Sequence, residues 1–249
     1  MVDITLWFTL GTFGMVVGTA MLAYGLVLVP REKRRLLTWI AAVPAIAAVA
    51  YALMALGFGG FRAADGAVVF VPRYVDWLLT TPIHVAVIAV IVGASRSLVA
   101  RIAGLQALTI VFGAAGAALA APLSWVFYLL GGVCFAGVVY TFFGDLEARA
   151  VVSSDDAAAL FRKLRAFVVV LWLVYPVIWL LAPSGVGLMD SETTALVVSY
   201  IDVVAKVGFG LIAINDYVKL AAIDDELPDR ADAAPGRSDT ADGDVPTAD

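Results

Sequence analysis

Charge is scarce in this chain. Only 15% of its 249 residues are Asp, Glu, Lys or Arg, while 62% are hydrophobic. A soluble domain carries roughly 25% charged and about 45–50% apolar residues, so a soluble globular protein is excluded. There is one cysteine, Cys134, inside an apolar run, which excludes an internal disulfide framework and leaves it as a small buried hydrophobe. No basic stretch precedes the first apolar run, and Arg31, Lys33, Arg34 and Arg35 follow it, so no cleavable signal peptide is expected. Nothing points to nucleic acid, and no metal site is expected. The net charge of −5 is itself uneven. From Asp224 onward nine acidic residues face Arg230 and Arg237, whereas the rest has 12 acidic and 14 basic residues. The acidity belongs to a tail rich in Asp, Ala, Pro and Gly, which reads as a disordered segment, 221–249.

What the chain has is length without charge. Residues 4–30 and 36–61 hold no charged side chain, and 77–95 form a third such run. Residues 102–144 are 43 uncharged positions, enough for two crossings, with Ala121-Pro122 marking the turn between them. Residues 166–189 and 193–218 supply a sixth and a seventh. The expectation is an all-α bundle of seven transmembrane helices over 1–220. Ala64-Asp65-Gly66-Ala67 beside Val68-Val69-Phe70-Val71 adds a short β-hairpin between helices two and three. Ser153-Ser154-Asp155-Asp156 reads as an N-cap for helix six. Basic residues cluster on one side, in Arg31–Arg35, Arg96, Arg101, Arg149, Arg162, Lys163 and Arg165. The other side has Arg62 and Arg73. The basic side should be cytoplasmic, with the N-terminus outside and the acidic tail inside.

Five ionisable residues interrupt these spans: Arg73, Asp76, His84, Asp202 and Lys206. Such groups are costly in a bilayer and functional by default. Asp202 and Lys206, four apart, share one face of helix seven. Arg73, Asp76 and Thr80 share one face of helix three. Brought together, two cations meet two anions. Two readings stand: an ion-pair staple between helices, or a site. Burying four charges costs desolvation that apolar side chains would avoid, which favours the site. On helix six Trp172, Tyr175 and Trp179 form an aromatic stripe beside Pro176, and Trp77 adjoins Asp76. With a buried lysine this describes an apolar slot holding an amine, suited to a Schiff base with a long conjugated aldehyde. His84 is either a hydrogen-bonded packing residue or a tuner of whatever fills the slot.

Three segments carry a family resemblance. They are Arg73-Tyr74-Val75-Asp76-Trp77-Leu78-Leu79-Thr80-Thr81-Pro82, Trp172-Leu173-Val174-Tyr175-Pro176-Val177-Ile178-Trp179, and Asp202-Val203-Val204-Ala205-Lys206-Val207-Gly208-Phe209. Together they resemble the third-, sixth- and seventh-helix signatures of haloarchaeal microbial rhodopsins. The resemblance implies all-trans retinal bound covalently to Lys206, isomerised by light to the 13-cis form. Asp76 would be primary counterion and proton acceptor, with Asp202 and Arg73 completing the counterion complex. Tyr51 and Tyr175 would hydrogen-bond the second aspartate. Trp77, Thr80, Thr81, Trp172, Tyr175, Pro176 and Trp179 would wall the pocket, and Gly113, Phe127 and Gly131 would line its ring end.

The same resemblance separates a sensor from a pump. Outward proton pumps of this kind carry a carboxyl donor where this chain has Val87. Their paired release glutamates are here Ser184 and Thr194. A chloride pump would be neutral at Asp76. Tyr51-Ala52-Leu53-Met54-Ala55-Leu56-Gly57 and Val69-Phe70-Val71-Pro72-Arg73-Tyr74 resemble sensory rhodopsin II, although Ala205 stands where that receptor has a signalling threonine. The features fit a middle-type branch between pumps and sensory rhodopsin II. A phototaxis photoreceptor rather than an enzyme is expected, with membrane lipid, a two-helix transducer and further copies of the chain as partners. Tyr200, turned about 200° from Asp202 on the same helix, is the candidate transducer contact. The alternatives are a weak or slow outward proton pump, and a seven-helix protein without retinal.

Overall fold

The computed structural model describes residues 4–31, 34–64 and 66–226, with side chains to residue 217. Its elements run α1 Ile4–Val27, α2 Arg34–Ala55, β1 Gly60–Arg62, β2 Val68–Phe70, α3 Val71–Ile91, α4 Arg96–Ala118 and α5 Leu123–Phe143. These are followed by α6 Asp145–Val151, α7 Asp155–Trp172, α8 Val174–Leu181, α9 Ser191–Val203, a π-helical turn Val204–Gly208, and α10 Phe209–Glu226. They build seven helices long and apolar enough to cross a membrane: α1, α2, α3, α4, α5 with α6, α7 with α8, and α9 through α10.

Local chemistry explains where each begins and ends. The second run stops at Ala55, six residues before its charge-free stretch does. Gly57 and Gly59 take φ of 81° and 74°, which only glycine adopts cheaply, and the chain turns into the hairpin. There Gly60 pairs with Phe70 and Arg62 with Val68, antiparallel. Helix α3 begins at Val71 with Pro72 in its first turn, where a missing N–H costs nothing. Arg73 and Asp76 therefore lie inside the third helix. Ser95 caps α4 by accepting from Leu98 N, and Ser154 caps α7 by accepting from Ala157 N. The sixth span thus starts at Asp155, earlier than its uncharged part. Asp190 caps α9: the Thr193 N–H donates to it at 2.6 Å, which holds its carboxyl below the usual range.

Close backbone approach fixes helix one against the site. A Cβ on Gly11 would come within 2.5 Å of the Tyr51 ring, and one on Gly18 would collide with Val207 of the π turn. At the opposite end, charged side chains join spans four to seven. Arg162 pairs with Glu147 at 2.9 Å and Lys163 with Asp216 at 2.5 Å; Arg165 also reaches Glu147, and Arg101 reaches Asp145. The helix continues to Glu226, taking in the first six residues of the expected tail. The remaining tail, 227–249, lies outside the described residues, as do Lys33 and Asp65.

Candidate functional site

Lys206 sits in the π turn of span seven, where one wider turn interrupts the α-helical ladder. Such single turns concentrate at functional positions. The side chain is 3% exposed. Its Nζ donates to Asp76 Oδ2 at 2.9 Å and lies 3.4 Å from Asp202 Oδ2. A buried amine between two buried carboxylates is the centre that the i, i+4 spacing and the helix-three face anticipate.

The two carboxylates have different company. Asp202 accepts from Tyr51 Oη at 2.7 Å, from Tyr175 Oη at 2.5 Å and from Trp77 Nε1 at 3.1 Å. Among the described residues Asp76 accepts only from Thr80 Oγ1, at 3.2 Å, besides Lys206. The single Thr80 hydroxyl hydrogen is shared with the nearer Asp76 carbonyl, at 2.8 Å. Arg73 departs from the expected quartet. Its guanidinium lies over the rings of Phe8 and Phe70, at 5.5 and 5.8 Å. It makes no ion pair with either carboxylate among the described residues, and its Nε and Nη2 are buried without a hydrogen-bond partner.

A cavity of about 480 Å³ extends from Lys206, within the range for small-molecule sites. Trp77, Thr81, Gly113, Gly131, Trp172, Tyr175, Pro176 and Trp179 line it together with Asp202 and Lys206. Gly113 has open space where a Cβ would stand. Asp76, Thr80 and Tyr51 stand behind this wall, within the hydrogen-bonded cluster. Phe127 does not line the cavity: its ring meets Phe112 at 6.0 Å, and the wall there is the next residue, Tyr128. Tyr128 stacks on Trp179 at 4.3 Å and donates to the Pro176 carbonyl at 3.1 Å. Helix α5 is apolar around its whole circumference, so periodicity could not choose between these neighbours. A second unforeseen residue, Gln106, is buried on α4 and donates to Thr81 Oγ1 at 3.0 Å; a lone amide in a charge-free run was its signal.

His84 also lines the cavity. Its Nδ1 is 3.0 Å from the Thr80 carbonyl, which can only accept, so Nδ1 carries a hydrogen. Its ring packs edge-on to Phe209 at 4.4 Å and Trp172 at 6.0 Å. Tyr200 points away from the cluster and is 69% exposed.

Residues 3–220 match the family described as bacteriorhodopsin-like protein. The chain belongs to this family. Among its bacteriorhodopsin-like relatives, sensory rhodopsin-2 of Haloarcula vallismortis is 54% identical over 223 residues, 89% of this chain and 94% of that one. Sensory rhodopsin-2 of Natronomonas pharaonis is 35% identical, over 93% of this chain and 100% of its own. Among solved structures, thermophilic rhodopsin from Rubrobacter xylanophilus superposes with a TM-score of 0.84 at 29% identity, covering 90% of this chain and 100% of that chain. The bacteriorhodopsin-like match contains every site residue above and stops before the acidic tail.

Proposed function

We propose that this protein is a retinal-binding photoreceptor that holds its chromophore on Lys206 and signals light to a membrane transducer. The observation that carries the reading is the buried Lys206 amine lining an aromatic-walled cavity, 2.9 Å from Asp76. A rod-shaped apolar aldehyde fits a slot of this volume. The residues fit the group: an amine to condense with it, tryptophan and tyrosine faces along it, and Gly113 leaving room beyond. Retinal bound there supplies visible absorption and a double bond that light isomerises.

The chain supplies the rest. Trp172, Tyr175 and Trp179 form one wall, Trp77 and Thr81 another, and between them they exclude water and restrict which bond can turn. Asp76 Oδ2 receives the proton that leaves the Lys206 nitrogen. Asp202, fixed by Tyr51, Tyr175 and Trp77, keeps the local field negative. The cytoplasmic donor position is Val87, 3% exposed and unable to return a proton. A slow return suits a receptor, as does 54% identity to a sensory rhodopsin-2. The basic ends of spans four to six face the cytoplasm in this reading, and the N-terminus lies outside. The second reading, a weak outward proton pump, rests on Asp76 keeping its acceptor geometry.

Reconstitution with all-trans retinal tests the first step. The wild type should develop a visible band, and Lys206→Ala, still inserted in the membrane, should not; a band of normal intensity from the mutant would sink the assignment. Illuminating cells with and without a two-helix transducer separates sensor from pump. A transducer-dependent motility response supports the sensor, and a light-driven pH change without it supports the pump.

A further inference from the structure

The cavity is not sealed inside the bundle. Leu129, Gly132, Val133 and Ala136 of α5 all line it, yet all four are exposed, Leu129 by 65% and Val133 by 70%. Spaced i, i+3, i+4 and i+7, they form one face of the helix. They lie in the central turns of α5, at the depth of the hydrocarbon. The opening is therefore apolar and meets lipid, not water. Gly132 has nothing within 4 Å of where its Cβ would stand. Across the gap, the Tyr128–Trp179 stack and the bond from Tyr128 Oη to Pro176 tie α5 to α8 by side chains. The cavity's other margin, near the hairpin and the α8–α9 connection, mixes polar Ser184, Ser191 and Thr194 with apolar Val68, Val69 and Phe70.

We propose that this side opening between α5 and α8 is the route by which the apolar chromophore reaches Lys206 from within the bilayer. The proposal rests on the retinal reading and adds to it a direction. An aldehyde with a long hydrocarbon body partitions into lipid, so a lipid-facing mouth receives it without passage through water. The Tyr128–Trp179 stack is the door, and the small side chains of Gly132 and Ala136 keep the sill low.

The test measures the rate of pigment formation after all-trans retinal is added to vesicles containing the chain without chromophore. Gly132→Leu and Val133→Trp should slow colour development about tenfold or more, equivalent to roughly 1.4 kcal/mol on the barrier. Leu130→Trp, one position round the helix and off the cavity wall, should match wild type, and so should Ser191→Trp at the other margin. A parallel arm uses retinol, which has no aldehyde, and follows its arrival by energy transfer from tryptophan; the same variants should be slow. Wild-type rates in Gly132→Leu and Val133→Trp, or slowing by Ser191→Trp instead, would overturn the route. Retinol uptake with no pigment in the wild type would overturn the reading of Lys206 and leave the route standing; uptake of neither would overturn both.

Discussion

Asp202 accepts hydrogen bonds from three aromatic side chains, whereas Asp76, equally buried, accepts among the described residues from Thr80 alone besides Lys206. Both lie within 3.4 Å of the same amine. The contrast assigns them different work. A carboxylate that accepts from two phenols and an indole is held in its charged form and in one orientation. One with a single hydroxyl partner has lone pairs free and less to lose on taking a proton. The three donors come from helix two, helix three and helix six, so Asp202 also joins elements that are distant in sequence.

Replacing each carboxylate by its amide tests this contrast most strongly. Asp76→Asn should fold and form pigment, because Asp202 still pairs with Lys206. Its band should shift to the red, since negative charge near the nitrogen favours the ground state, and light-driven proton transfer should be lost. Acidifying the wild type should produce the same red shift as Asp76 gains a proton. Asp202→Asn should instead lose stability, on the order of 3–5 kcal/mol for breaking a buried charged network, read as lower pigment yield and faster thermal bleaching. If the two amides behave alike, the division of labour is wrong.

The next effect is kinetic. With Val87 buried, a proton taken by Asp76 in the proposed function would have no donor at that position to replace it. Val87→Asp should speed recovery after a flash by about a hundredfold, the lower end of what a placed general acid contributes. Small membrane-permeant acids should accelerate the wild type in the same direction. Rapid recovery that ignores both would favour the pump.

Smaller effects should come from the partners of Asp202. Tyr51→Phe and Tyr175→Phe each remove one hydrogen bond to a charged group, about 1.5–3 kcal/mol. Thr80→Val removes the weaker partner of Asp76 and should cost less. Chemical denaturation of pigment reads all three, and a larger loss from Thr80→Val would reverse the comparison.

Much of this centre was legible in the chain because its signals are discrete. A lysine four residues from an aspartate on an uncharged helix names a face without reference to packing, and long uncharged runs name spans. What escaped were quantities that periodicity does not contain. Arg73 shares a face with Asp76, but a face gives direction around the helix and not along it, and the long side chain lies over Phe8 and Phe70. Phe127 and Tyr128 are 100° apart on a helix apolar all round, and only packing chooses the one that lines the cavity. The end of α2 was hidden because uncharged Gly57 to Phe61 look like span, until the positive φ angles at Gly57 and Gly59 stop the helix.

The smallest expected effect lies two residues from Asp202 and does not touch it. Tyr200 is on the outer face of α9, 69% exposed, at a depth where the exposed surface meets lipid. A phenol against hydrocarbon leaves its hydroxyl unpaired, which costs roughly 1–3 kcal/mol on mutational scales. A transducer helix offering an acceptor would remove that cost; a hydroxyl that reaches the membrane interface or a neighbouring helix would remove it without a partner. Tyr200→Phe separates these. With a transducer co-expressed, loss of one neutral hydrogen bond should weaken binding about threefold to tenfold. Colour and photocycle should stay as in wild type, because the ring faces away from Lys206 and both carboxylates. Equal affinity would remove this hydroxyl from the interface, and a change of colour would mean that the outer face of α9 is coupled to the Asp202 network.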